Sequence, residues 1–215
     1  MRYWQPDLAS PPMRRAPAPD LHAIPVRARI LQAAVQRFAR NSYEETGLRD
    51  IAADAGVDVA YAHRCFGSKE QLFAQAVLAS TGMQHVLAEQ PRDLSRHLSA
   101  QVFHRDGQAT PREIGPLDII IHSLSSPAAS RVVRDCIMRE FVAPLGARLD
   151  DPAAMRAAVI AALLAGVGIL RNVLEIAPLR EGAGSDLDHL LATTIAHIGG
   201  LPAGAAAGAE EDPDK

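Results

Sequence analysis

Apolar positions recur along most of this chain at helical spacing. Pro25 suits a first helical position, and Ile30, Leu31, Ala34, Val35 and Phe38 then line one face. This pattern predicts a helix ending near Asn41, a residue that tolerates the left-handed conformation. Leu48, Ile51, Ala52 and Ala55 predict a short second helix that stops at Gly56, and a third runs from Val59 to Phe66. Ser68 follows as an N-cap with Gln71 three residues on, the spacing of a capping box. The fourth helix it opens has Leu72, Phe73, Ala76 and Val77 on its apolar face.

Further on, helices are predicted over 94–104, 117–124 and 127–149. Ser126 and Pro127 form the N-cap and N1 of the last of these, and Pro144 is expected to kink or interrupt it. Asp151 and Pro152 open a long helix that must end before Pro178, and Leu187 to Ile198 forms the final one. The ends differ in character. Residues 1–23 carry five prolines and no periodicity, which predicts a flexible arm; residues 200–215 turn Gly/Ala-rich and then acidic, which predicts a disordered tail.

Composition fits this all-α reading. Of 215 residues 39 are alanine, while aromatics make up only 4%, a mixture suited to close-packed helices rather than sheet. The two cysteines, Cys65 and Cys136, form no CxxC pair and read as packed thiols, so neither a disulfide scaffold nor a structural zinc site is expected. No signal-like segment opens the chain, and the apolar run Ala157–Leu170 is 14 residues, short of a bilayer span and readable as a buried helix. A cytoplasmic protein is the expectation.

The net charge of −3 argues against nucleic acid until it is divided along the chain. Residues 1–23 and 24–79 each sum to +1, residues 80–199 to −2 and residues 200–215 to −3. The N-terminal end is therefore mildly basic, and a local positive face is enough for phosphate contact because screening limits reach to about 8–10 Å.

Residues 48–66 carry the most informative motif. Two short helices flank a turn at Gly56, with small Ala52 at the crossing and Val57 beneath the turn. This is helix-turn-helix spacing, which lays a second helix in the major groove while the first crosses the backbone. Arg49 can bond guanine in a bidentate manner. Lys69 stands in the first turn of a helix whose N–H groups attract phosphate. Tyr61 and Arg64 project from a helix otherwise built of small residues such as Ala60 and Ala62. Arg14 and Arg15 on the arm are minor-groove candidates, and Trp4 is the chain's one tryptophan.

Residues 27–78 resemble the N-terminal domain of the TetR family of transcriptional regulators. The resemblance rests on Ile30 to Ala34, Phe38-Ala39, Tyr43, Arg49 to Ala52, Ala55 to Val57 and Phe66 to Phe73. The segment Met155 to Leu179 is similar, less specifically, to the dimerising helix of that family's regulatory domains. The resemblance implies a two-domain repressor, with residues 24–79 on DNA and residues 80–199 binding a small-molecule effector and dimerising. Dimerisation would use helices 151–177 and 186–199. The homodimer would bind a palindromic operator and leave it when the effector enters. The DNA-facing set is Arg49, Val59, Ala60, Tyr61, His63, Arg64 and Lys69. Three positions depart from the family's usual residues. His63 replaces a Tyr, making a backbone contact weaker or pH-sensitive; Ser42 replaces a Gly, leaving the turn to Asn41; and Gly47 replaces a Ser or Thr, removing an N-cap side chain.

Effector contacts are expected among polar residues that interrupt apolar segments, His97, Gln101, His104, His122 and Asn172, and among Phe103, Met138 and Phe141. Gly166 and Gly168 would allow a neighbouring helix to approach closely. No catalytic set, metal site or cofactor motif is recognisable, so an enzyme is not expected. The alternative reading is a helical small-molecule-binding or protein-interaction module without specific DNA binding.

Overall fold

The computed structural model describes residues 25–87, 93–103, 115, 117–181 and 186–201. The arm, the acidic tail, and the candidates Trp4, Arg14, Arg15 and His104 lie outside the described residues. What is described is all-helical. Helices α1 (Val26–Phe38), α2 (Leu48–Asp54), α3 (Val59–Phe66) and α4 (Lys69–Thr81) form the N-terminal unit. They are followed by α5 (Met83–Val86), α6 (Leu94–Phe103), α7 (Asp118–Ser123), α8 (Pro127–Ile137), α9 (Ala143–Gly146), α10 (Ala153–Gly168), α11 (Ala177–Glu181) and α12 (Asp186–Gly199).

The N-terminal elements follow the sequence pattern closely. Ile30, Ala34 and Phe38, each four residues apart, bury one face of α1 completely. Ser68 Oγ accepts the Gln71 N–H at 3.2 Å and Gln71 Oε1 accepts the Ser68 N–H at 3.1 Å, closing the expected capping box of α4. Gly56 takes φ +65° at the turn between α2 and α3, a conformation costly for a side chain with Cβ. Val57 packs against the core below it.

The first turn departs from expectation. Helix α1 ends at Phe38, and Asn41 is not left-handed; its side-chain amide instead donates to the Arg37 carbonyl at 3.1 Å. The chain reverses through side-chain bonds, with Thr46 Oγ1 donating to the Ser42 carbonyl at 3.1 Å. A short polar residue can cap a helix end by this route without positive φ.

The α-helical pattern is interrupted just ahead of Pro144, by a wider turn rather than a break in the path. Helix α8 runs into α9 through a π-helical turn at Met138–Val142, and the Ala143 N–H bonds the Met138 carbonyl. A wider turn just before a proline takes up the missing N–H and the ring, so the path stays continuous. It ends at Gly146 rather than 149. A second π-helical turn, Ile169–Val173, extends α10.

Two apolar cores result. In the first, α1–α4 surround Phe38, Tyr43 and Phe73, with ring centroids 4.9–5.9 Å apart. Ile119 of α7 and Ala129, Val133 and Cys136 of α8 belong to this same core, so the N-terminal unit is not closed without them. The second core joins Leu98 of α6, Phe141, Val142, Leu145 of α9, Ala157 and Ile160 of α10, and Ile195 of α12. The Ser99 hydroxyl donates to the Asp188 carboxylate and pins α6 to α12.

The long helix is only partly buried within this chain. With its π turn it spans 21 residues, Ala153–Val173, long and apolar enough by length and composition to cross a membrane, yet only 17% of that apolar window is buried. Instead of a buried helix, it presents Met155, Val159, Leu170, Val173 and Leu174 outward, and Leu190 of α12 is exposed too. The two glycines separate: Gly168 is buried, where a Cβ would press on Leu117, whereas Gly166 opens onto free space.

Candidate nucleic-acid interface

Helix α2 is anchored from behind. The Arg37 guanidinium of α1 bonds both carboxylate oxygens of Asp54 at 2.5 and 2.9 Å, and these bonds hold the Asp54 carboxyl below its usual pKa. The N-terminus of α2 lacks a capping side chain, as Gly47 predicts, but the Asp50 carboxylate reaches back to accept the Gly47 N–H at 3.1 Å. One of the exposed donors of the first turn is thereby satisfied. Helix α3 is capped by Asp58, whose carboxylate accepts the Ala60 N–H at 2.7 Å.

Between these two N-termini lies a shallow, open groove lined by Gly47, Leu48, Arg49, Asp50, Val59, Ala60 and His63. The fold thus unites four of the residues singled out from sequence, Arg49, Val59, Ala60 and His63. Tyr61 and Arg64 stand exposed on α3, with the Arg64 guanidinium 5.3 Å from the Tyr61 ring centroid. The inner face of α3 is Ala62 and Phe66, both buried, with Val59 and Cys65 partly packed on the same core, which leaves Ala60, Tyr61, His63 and Arg64 on the exposed side.

Two site residues are more constrained than their spacing implies. His63 Nδ1 lies 2.8 Å from the Gly67 carbonyl, which only accepts, so Nδ1 carries the hydrogen. A neutral His63 then offers an acceptor at Nε2, and donation to a phosphate requires the imidazolium. The Lys69 ammonium lies 4.1 Å from the Tyr43 ring centroid, a cation–π contact that holds it at the start of α4. Burial, assisted by the charge of Glu70, pushes the Tyr43 hydroxyl up to about 12, so the ring under Lys69 stays neutral. Nearby, the Arg27 guanidinium covers Phe66 at 4.6 Å and donates to Gln75 Oε1 at 2.5 Å, joining α1 to α3 and α4.

The effector candidates are spread over several elements. His97 Nε2 bonds the Val86 carbonyl at 2.8 Å, and Gln101 donates to the His97 carbonyl at 3.4 Å. Phe103 lies 4.8 Å from the guanidinium of Arg171, and the Asn172 amide donates to the Val102 carbonyl at 3.2 Å, so Arg171 and Asn172 both reach the end of α6. Phe141 is buried in the second core, whereas His122 and Met138 face outward. Buried Arg171, which also donates to the Leu179 carbonyl at 3.0 Å, was not foreseen; nothing in its sequence neighbourhood separates it from a surface arginine.

Comparison with known proteins supports the sequence resemblance. The family model described as bacterial regulatory proteins, tetR family, matches residues 30–76, and that described as tetracyclin repressor-like, C-terminal domain, matches residues 93–198. Similar folds include GusR of Salmonella enterica, at 20% identity and TM-score 0.63, covering 82% of this chain and 96% of that one. A TetR-family member from Streptomyces coelicolor A3 follows at 21% identity and TM-score 0.57, covering 80% and 97%. The multidrug binding protein EbrR, complexed with ethidium, shares 19% identity at TM-score 0.56, covering 81% and 98%. No curated protein matches the chain.

The all-helical fold and its helix-turn-helix groove define a DNA-binding regulator. The chain belongs to the TetR family of bacterial regulatory proteins.

Proposed function

We propose that the protein is a cytoplasmic, effector-responsive repressor that binds a palindromic operator as a homodimer. The observation that carries this reading is the groove between α2 and α3, where Arg49, Val59, Ala60 and His63 converge on one open surface. In this reading residues 24–79 meet DNA. Arg49 reads a base, Tyr61, His63 and Arg64 contact bases or backbone, and Lys69 at the start of α4 holds a phosphate. Residues 80–199 dimerise and bind the effector, with His97, Gln101, Phe103, His122, Met138, Phe141 and Asn172 as its candidate contacts. The exposed apolar residues of α10 and α12 support self-association, since a monomer rarely leaves such a patch uncovered. EbrR with bound ethidium supports a small organic effector. Effector binding would release DNA by favouring a separation of the two recognition helices that does not fit successive major grooves.

The test is gel shift and footprinting on the DNA upstream of the protein's own coding sequence. Binding is expected to be sequence-specific and salt-sensitive. Lys69→Ala should weaken binding to all sequences and lower the salt slope by about 1; Arg49→Ala should relax preference at one base pair. A dimer that shows neither specific nor salt-dependent binding would favour the alternative, a helical binding module that does not read DNA.

A further inference from the structure

The reach of the C-terminal half into the N-terminal unit includes one directional contact. The Ser126 hydroxyl donates to the Glu44 carboxylate at 2.6 Å, across 82 residues of sequence. Ser126 is buried, and its oxygen also accepts the Ala129 N–H at 3.2 Å as the N-cap of α8. The same atom therefore ends one helix and grips the loop between α1 and α2. Resting on the reading that the α2–α3 groove meets DNA, we propose that Glu44 is a positioning residue. It fixes the N-terminus of α2, and with it Arg49, to the corner between α7 and α8.

Three observations carry this. Glu44 lies three residues before Gly47, the N-cap of α2 and one edge of the groove. The loop between them is braced internally. Ser42 Oγ donates to the Glu45 carboxylate at 2.9 Å, Thr46 Oγ1 donates to the Ser42 carbonyl at 3.1 Å, and Thr46 is itself buried. A displacement at Glu44 is therefore passed to Gly47 rather than absorbed. Finally, the core contacts that α7 and α8 make with this unit are apolar: Ile119, Ala129, Val133 and Cys136 pack on the first core without direction. Such packing holds α7 and α8 against the N-terminal unit over a broad face, and the charge-assisted hydrogen bond adds a point contact on the loop that leads into α2.

The chemistry allows the link to be broken and remade. Ser126→Asp keeps a good N-cap for α8 but sets a carboxylate against Glu44. Adding Glu44→Gln places an amide donor against the new carboxylate and restores a bond. In hydrogen exchange on the full chain without DNA, S126D should speed exchange of the amides over 44–51 at least tenfold. Those of α4 should stay unchanged, and S126D/E44Q should return 44–51 to within twofold of the parent. On upstream DNA, S126D should weaken binding at least fivefold, with the double variant restored. Should S126D fail to fold, E44A carries the same expectation, because it leaves the Ser126 cap in place. Unchanged exchange over 44–51 in the broken-link variant, or no recovery in the double variant, would overturn the proposal. A parent protein that binds no DNA would instead remove the functional reading, while the exchange result still decides the link.

Discussion

Ile30, Ala34 and Phe38 on α1 are wholly buried, whereas Met155, Val159 and Leu190 on α10 and α12 are 62%, 46% and 62% exposed. Both regions are helices built from ordinary apolar residues, which line one face of α1 and nearly every side of α10. In the first, the apolar face of α1 finds its partners within the chain, around Phe38, Tyr43 and Phe73. In the second, one face of α10 packs on Leu98, Leu145 and Ile195, and the opposite face stays exposed among the described residues. The N-terminal region is completed by intramolecular contacts, including those from α7 and α8, while the α10–α12 surface leaves apolar residues exposed, which is what the proposed homodimer would cover. That division fits the proposed roles of the two regions, a rigid presenting unit and an associating one.

The sharpest way to break the comparison is to strike each region at its own kind of contact. Phe38→Ala removes the ring at the centre of the aromatic cluster and should cost about 3–5 kcal/mol in chemical denaturation. Val159→Glu should leave the helical content of the chain intact by circular dichroism. It should weaken dimerisation at least tenfold, about 1.4 kcal/mol, by sedimentation or light scattering. If Val159→Glu unfolded the chain and left no helical monomer, the proposed division would fail.

Smaller effects test the local devices of the N-terminal unit. Ser68→Ala removes half of the α4 capping box and should cost about 1 kcal/mol in thermal or denaturant unfolding. The Arg37–Asp54 pair is partly exposed, at 33% and 42%, so its contribution should stay below about 1 kcal/mol. Its pH dependence has a definite sign. Because Arg37 holds the Asp54 carboxyl below its ordinary value, the contribution is present above that ordinary value. It is lost as pH falls through the lowered one. The stability gap between the parent and Asp54→Asn should therefore be larger at pH 7 than at pH 2.5 in urea titrations.

Legibility in the sequence followed the range of the interaction. Helices α2, α3 and α4 could be placed from periodicity, Gly56 and the Ser68–Gln71 spacing, because caps and turns are settled within a few residues. Asn41 was misread because two local solutions compete there, a left-handed residue or a side-chain cap, and the bond to Arg37 selects the second. At Pro144 the disturbance of the helix was legible but not its form, because a π turn over Met138–Val142 is a cooperative adjustment of several residues. Within the interface, Arg49 and His63 were visible as types at suitable positions. Their convergence on one groove, and the seating of Lys69 on Tyr43, depend on how α1, α2 and α4 pack. The link from Glu44 to Ser126 had no sequence signal, since each residue has a sufficient local explanation in a turn or a cap.

By itself the sequence determined the helical class, the helix-turn-helix unit and the family resemblance, because these rest on spacing within one or two helices. Tertiary structure decided which apolar faces close within the chain and which remain open, that the first core draws on α7 and α8, and where the two halves are bonded. Those outcomes depend on residues brought together from distant parts of the chain, whose meeting no local pattern encodes.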